Sequence, residues 1–279
     1  MAVNVDDFLY AGNDEVIIEI ANDGIGSLDY VIEREPEDDW LNISSMKGTV
    51  ESQEEIVLSC NSKLMTNNIM SARLLIKDKE TTVAVNIQAR NCITEGHKPM
   101  TFAENSGLVV IPANNFCKKK DAASAGFKEL KNYGRSGVGM KVFPTTACFT
   151  ENDDAPTLSY RFNVDQGGAY TAEVWTTPTN SVQNKRPLRF SFESSQGRQI
   201  ITAVPADFMA GNTSDQRWCE GVLNNIRISK IPLTLKEGVQ EISIGALEAN
   251  LVLEKILIYR EGREPLASYL GPSISVSCE

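Results

Sequence analysis

The run Val83-Ala84-Val85-Asn86-Ile87 alternates strictly, which puts Val83, Val85 and Ile87 on one face of an extended segment and Ala84 and Asn86 on the other. A period of two is the mark of a half-buried β-strand. Working outward, Val16-Ile17-Ile18-Glu19-Ile20, Leu28 to Glu33, Glu55 to Cys60 and Ala72 to Lys77 are similarly short and rich in β-branched residues. Most are bounded by turn clusters such as Asn22-Asp23-Gly24. Five to seven such runs within about 90 residues predict a small β-sandwich, with two sheets burying their inner faces against each other. Trp40, between Asp39 and Leu41, is either a plug between those sheets or an exposed platform for a sugar ring.

The pattern breaks from Asn91 to Pro99, so the domains are expected at 1–92 and 93–279. Strands then resume at Leu108 to Ile111, Met140 to Phe143, Leu158 to Val164, Ala169 to Thr176, Leu188 to Glu193, Ile200 to Val204, Asn225 to Ile228, Gln240 to Ile244 and Leu251 to Tyr259. A single weak helical signal lies at Phe127 to Tyr133. This pattern predicts an all-β chain in which the second domain is a larger jelly-roll β-sandwich.

Composition excludes several functions. With 42% hydrophobic and 23% charged residues, the 279-residue chain has the make-up of a globular protein. No stretch approaches 18 uncharged apolar residues, so no membrane helix is expected. A net charge of −10, with no basic cluster larger than Lys118-Lys119-Lys120, argues against nucleic acid. The opening Met1 to Asp7 lacks the basic and apolar regions of a secretory signal, leaving the compartment open between cytoplasmic and secreted. His97 is the one histidine, which rules out multi-histidine zinc sites and HExxH helices, and its place in a turn-rich stretch speaks against a triad. The six cysteines, at 60, 92, 117, 148, 219 and 278, show no metal-ligand spacing and read as free, mostly buried thiols.

Gly134-Arg135-Ser136-Gly137-Val138-Gly139 lacks both the GK[ST] ending and the βαβ context of a nucleotide loop, and is expected to be a tight turn entering a strand. Arg135 within it either clamps a carboxylate or sugar or braces the turn. The acidic run Glu33 to Asp39 reads as a solvated loop. Aromatic, amide and cationic residues cluster in the second domain: Tyr133, Trp175, Asn180, Arg186, Arg189, Trp218, Asn224, Asn225, Arg227 and Tyr269. Aromatic faces with a few placed polar groups suit carbohydrate, although Trp175 and Trp218 would equally serve as packing.

In order along the second domain, the segments 101–111, 133–137, 155–160 and 178–180, then Leu188-Arg189-Phe190, Trp218 with Gly221-Val222, 224–227, 253–256 and Ser268-Tyr269-Leu270-Gly271-Pro272 resemble the C-terminal region of family 115 glycoside hydrolases, the xylan α-glucuronidases. Asn22-Asp23-Gly24, Asp39-Trp40-Leu41 and Lys47-Gly48-Thr49-Val50 make the first domain similar to the Ig-like module that precedes that region. The resemblance implies a non-catalytic accessory tail, whose parent enzyme removes 4-O-methyl-glucuronic acid from xylan with carboxylates in a domain N-terminal to this one. It implies as partners that catalytic domain, xylan or another carbohydrate bearing glucuronic acid, and a second copy in a homodimer. An autonomous carbohydrate-binding protein without an attached enzyme is the alternative.

The second domain is also similar to family 6 and 35 carbohydrate-binding modules, in which acids on the first strand support a structural calcium. Here Pro112 and Asn114 stand where acids are expected, leaving Glu254 as the candidate ligand and no other cofactor implied. Residues 1–92 hold 17 acidic and 7 basic side chains, so the remaining 187 residues hold 37 − 17 = 20 acidic and 27 − 7 = 20 basic. The excess negative charge therefore lies in the first domain, and the neutral second domain, with Arg135, Arg189 and Arg227, is the expected place for an acidic sugar.

Overall fold

The computed structural model describes all residues except 1, 12–14, 68, 92–99, 152, 182, 184, 266–267 and 279. His97, Cys92 and the expected junction between the domains fall among the residues left out. The chain divides into two compact units, 1–98 with 278–279, and 99–277. Among the described residues, no helix is long and apolar enough to cross a membrane.

In the first unit, β1 (Ala2–Ala11), β8 (Thr82–Asn91), β7 (Ile69–Lys77), β3 (Leu28–Glu33) and β5 (Lys47–Val50) form one sheet in the order β1-β8-β7-β3-β5. A three-stranded sheet, β2 (Glu15–Ala21), β6 (Gln53–Cys60) and β4 (Leu41–Ile43), has the order β2-β6-β4. Alternation in β6 buries Ile56, Leu58 and Cys60, while β7 and β8 turn Leu74, Val85 and Ile87 inward. Between them Trp40 is fully buried, with 0% exposure. It is the core plug, not an exposed platform. Strand β1 runs parallel to β8, and their register slips between Asn4 and Phe8, where Asp6-Asp7 interrupts the apolar pattern that would have revealed it. The acidic run is largely solvated, with Glu33, Glu35, Glu37 and Asp39 exposed, but Pro36–Asp38 form a single 3₁₀ turn that buries Asp38.

The second unit is a larger sandwich. One sheet is β12 (Gly126–Lys131), β13 (Val138–Phe143), β20 (Val252–Arg260), β15 (Gly168–Thr176) and β18 (Arg227–Leu235) in that order, with β10 (Leu108–Pro112) also paired to β20. The other is β17 (Gly197–Val204), β16 (Leu188–Ser194), β19 (Gly238–Ala246), β14 (Thr157–Val164) and β9 (Thr101–Phe102), with β11 (Lys118–Lys120) paired to β14. In β14 the residues Leu158, Tyr160, Phe162 and Val164 point into the core, where they meet Phe190, Phe192, Ile256 and Ile258. The Tyr160 hydroxyl is satisfied there by donating to the Ala113 carbonyl at 2.8 Å.

Two secondary-structure expectations change in this unit. Residues 126–131 are strand β12, not helix, because pairing with β13 overrides a weak local signal. The segment expected as a strand from Asn225 instead closes a helix, α1 (Gln216–Asn224), and β18 begins at Arg227. Asp215 caps this helix by accepting the Arg217 N–H at 3.1 Å, and Asn225 ends it in the left-handed conformation at φ 52°. The four described cysteine side chains, Cys60, Cys117, Cys148 and Cys219, are free thiols, but only Cys60 is buried and Cys148 is exposed.

Trp40→Ala leaves a large void between the two sheets of the first unit. It is expected to destabilise that unit by about 3–5 kcal/mol, measured by urea unfolding followed by circular dichroism. A loss below about 1 kcal/mol, as for an ordinary surface change, would contradict this role.

Candidate functional site

Strand β20 is buried along Val252–Tyr259, far longer than a one-sided strand requires. Its second face carries Leu257, which packs with Val110, Trp175 and Ile226 in a small separate cluster. The segment after Arg260 returns to cover that face. Ser275 donates its backbone N–H to the Val110 carbonyl (3.0 Å), and its hydroxyl accepts the Val110 N–H (2.9 Å). Lys255 Nζ donates to the Leu270 carbonyl at 3.2 Å. Gly271 lies flat on the Trp175 ring, where a Cβ would stand 2.5 Å from Cη2.

Trp175 is therefore only 4% exposed. Its Nε1 donates to Glu173 (3.0 Å), a buried carboxylate that also accepts from the Tyr259 hydroxyl (3.1 Å) and pairs with Lys230 (3.0 Å). The three donors compensate the burial of that charge.

Arg135 reaches the same place from the other side. Gly134 and Gly137, with φ of 70° and 76°, form the expected tight turn. Glu254, with 0% exposure, accepts the Ser136 N–H at 2.8 Å and fills the space a Cβ on Gly134 would need. From this turn the Arg135 guanidinium lies 4.3 Å from the Tyr269 ring centre and 5.2 Å from that of Trp175. It donates to the carbonyls of Asn224 (3.1 Å) and Ser268 (2.5 Å). Arg135 thus ties the turn, the end of α1 and the covering segment together.

These elements surround a cavity of about 760 Å³, lined among others by Arg135, Trp175, Arg217, Arg227 and Tyr269. Tyr269 is the open aromatic face, 57% exposed. Arg227 stacks on Phe208, 4.2 Å from the ring centre.

Of the residues singled out in the sequence, Arg135, Trp175, Asn224, Arg227 and Tyr269 come together. Trp218 and Asn225 belong to α1 and its cap but do not line the cavity. Arg189 and Asn180 lie elsewhere. Arg189 is on β16 of the opposite sheet, paired with Glu248 (3.0 Å) and Glu151 (3.3 Å). Asn180 is exposed and uses its carbonyl to accept from Asn250 (3.1 Å). Phe208, Glu173 and Arg217 escaped the sequence reading, and Gly271 entered it only as part of the Ser268 to Pro272 motif. The Asp215 cap followed by Arg217 was the one local signal for α1 and its charges.

The carboxylate expected to bind calcium does not fit that ion. Calcium takes six to eight oxygen ligands with substantial negative charge. One oxygen of Glu254 accepts a backbone N–H, the other faces Gly134 without a hydrogen-bond partner among the described residues, and Pro112 and Asn114 bring no second acid. Among the described residues, no three His, Cys, Asp or Glu side chains gather as a metal site.

The second unit is a β-sandwich with an aromatic and cationic cavity beside one sheet. Residues 101–274 match the glycosyl hydrolase family 115 C-terminal domain. The chain belongs to that family. No curated protein sequence matches it. Among solved structures it is similar to a family GH115 4-O-methyl-α-glucuronidase, BtGH115A, with specificity for decorated arabinogalactans. Identity is 17%, the TM-score is 0.38, and the match covers 52% of this chain and 18% of that one. The chain thus matches less than a fifth of that enzyme's length. It is also similar to the C-terminal CBM6 of LamC, a marine laminarinase from Zobellia galactanivorans (14% identity, TM-score 0.36, 55% and 99% covered). A third likeness is to a family 35 carbohydrate-binding module from Clostridium thermocellum (11%, 0.37, 56% and 99%).

Burial pushes the Glu254 carboxyl above its usual range, against the Ser136 hydrogen bonds and the Arg135 charge. A carboxyl raised in the folded state contributes stability at acidic pH that is lost as pH rises through its folded pKa. Comparing unfolding free energies of the native chain and Glu254→Gln from about pH 4 to 7, the difference is expected to move against the native chain as pH rises. Parallel profiles would refute the assignment.

Proposed function

We propose that this chain is the non-catalytic C-terminal part of an α-glucuronidase-type glycoside hydrolase, and that the cavity of its second unit holds carbohydrate for a catalytic domain outside this sequence. Family membership supports the first half. The observation that carries the second is the cavity itself, where an exposed Tyr269 ring stands beside guanidinium groups. An aromatic face can stack on the C–H face of a sugar while planar cations hydrogen-bond its oxygens.

Trp175 takes no part as a platform in this reading. Covered by Gly271 and hydrogen-bonded to Glu173, it holds the floor in place. Xylan bearing glucuronic acid is the polymer implied by the sequence resemblance, and decorated arabinogalactan is the one named for BtGH115A. Either would present a side group to an open cavity.

Affinity electrophoresis of the purified chain through soluble glucuronoxylan and through arabinogalactan is expected to show retardation by at least one polymer. Tyr269→Ala should weaken it by about tenfold, in line with the loss of one stacked aromatic. The same chain should release no uronic acid from either polymer. Absence of retardation, or turnover abolished by a single carboxylate substitution, would overturn the proposal.

A further inference from the structure

In the three-stranded sheet of the first unit, β2 pairs with β6 alone among the described residues, so its second edge is open. The phase of that pairing shows which groups are left over. Asn22 donates its N–H to the Ser52 carbonyl at 2.8 Å, continuing the register of β2 with β6, so the even-numbered residues of β2 exchange hydrogen bonds with β6. On the other side of β6, Ser44 donates its N–H to the Val57 carbonyl at 3.0 Å, which assigns the odd-numbered residues of β6 to β4 and agrees with this phase. The backbone N–H and C=O groups of Glu15, Ile17, Glu19 and Ala21 therefore point away from β6. Natural edges are commonly blunted by lysine, proline or a bulge. Strand β2 has none of these, and its register with β6 is unbroken.

Beside this edge runs an apolar groove of about 510 Å³. Five consecutive residues of β2, Ile17 to Ala21, line it, as expected where a groove follows the backbone edge of a strand rather than one of its alternating faces. Its far wall comes from the facing sheet, with Leu28, Ile76, Val83 and Val85. Ile18, Leu28 and Ile76 pack against the core yet are only partly buried, so the groove opens onto the interior of the unit.

Open backbone groups along an apolar groove are completed by an added strand, whose N–H and C=O groups meet those of β2 while its alternate side chains fill the groove. Charge selects that strand. Glu15 and Glu19 are exposed on the outer face of β2, with Ile17 between them 57% exposed. Asp78 adds an acid to the groove lining, whereas Lys77 is already paired with Glu33 at 2.6 Å. Opposite charges facing each other across two strands stabilise the pair, and like charges destabilise it. A second copy of this chain would bring Glu15-Val16-Ile17-Ile18-Glu19 to the same edge, and with it acid against acid. We propose that the free edge of β2 docks an extended segment of another polypeptide, one that carries Lys or Arg at two positions four apart and apolar residues between them that face the groove. The segment adds as a fourth strand to the sheet of β2, β6 and β4. This site lies wholly within the first unit and does not depend on what the second unit binds.

The test uses the full chain and two end-blocked synthetic peptides, TKVTVKT and TEVTVET. The basic peptide is expected to bind about tenfold more tightly than the acidic one, since two favourable cross-strand pairs replace two unfavourable ones. Its binding should slow hydrogen exchange at the Ile17 and Glu19 amides and leave the Ile18 and Ile20 amides, already bonded within the sheet, little changed. Ile17→Pro removes an outward N–H that β6 does not use, at a place where an edge strand tolerates proline, and should abolish binding. Glu15→Lys combined with Glu19→Lys should reverse the preference, making the acidic peptide the tighter ligand. Binding of neither peptide, equal binding of both, or protection that arises away from β2 would overturn the proposal. A concentration-dependent dimer of the native chain that Ile17→Pro dissolves would also overturn it, because the occupant would then be a second copy. Should Ile17→Pro fail to fold, the exchange pattern and the charge reversal decide.

Discussion

A strand with apolar residues on both faces needs a cover on each side, and β20 imposes that requirement on the second unit. One face meets the sandwich core through Leu253, Ile256 and Ile258, while Leu257 faces the other way with Trp175, Val110 and Ile226. Left open, that second face would put a contiguous apolar patch in water. The chain meets the need with its own continuation, laid over the sheet and held by backbone hydrogen bonds to Val110 and by contact with Trp175. Everything at the candidate site follows from this cover. It carries Tyr269 to the cavity mouth, supplies the Ser268 carbonyl to Arg135, and converts Trp175 from a surface ring into a floor.

Buried charge at the site is handled by pairing. Glu173 and Asp215 each sit among several donors, and Glu254 anchors a turn that brings a guanidinium across to two other elements. These groups specify how a turn, a short helix and the covering segment meet; apolar contact alone would not fix their mutual orientation. The result is a rigid wall on a scaffold of strands, the setting in which a positioned polar group can discriminate between ligands.

The fold was largely legible because its strands obey simple patterns. Alternation revealed Val83 to Ile87 and Leu158 to Val164, and β-branched density revealed Leu251 to Tyr259. What escaped lacks such a signal. Strand β1 is interrupted by Asp6-Asp7, β4 and β5 are too short to show a period, and α1 exposes Val222 and Leu223 while burying only Gly221. Arg135, Trp175, Arg227 and Tyr269 were selected by residue type, and the fold brings all four together. Residue type gave no means of separating them from Arg189, which lies on the other sheet beside Glu248, because pairing between distant carboxylates and guanidinium groups leaves no trace in local sequence. The distinction between Tyr269 as an open ring and Trp175 as a covered one was likewise invisible, since it depends on where Gly271 comes to rest.

Strand β11 consists of Lys118, Lys119 and Lys120, all exposed, at an edge of the second sheet where, among the described residues, it pairs with β14 alone. Lys119 and Lys120 reach Asp121 and Asp154, yet the segment still lines its backbone with three ammonium groups. Another chain adding a strand at that edge would have to bring its own backbone against concentrated, strongly hydrated charge. The basic run thus has a physical consequence at the sheet edge, where charge disfavours the pairing of a further strand.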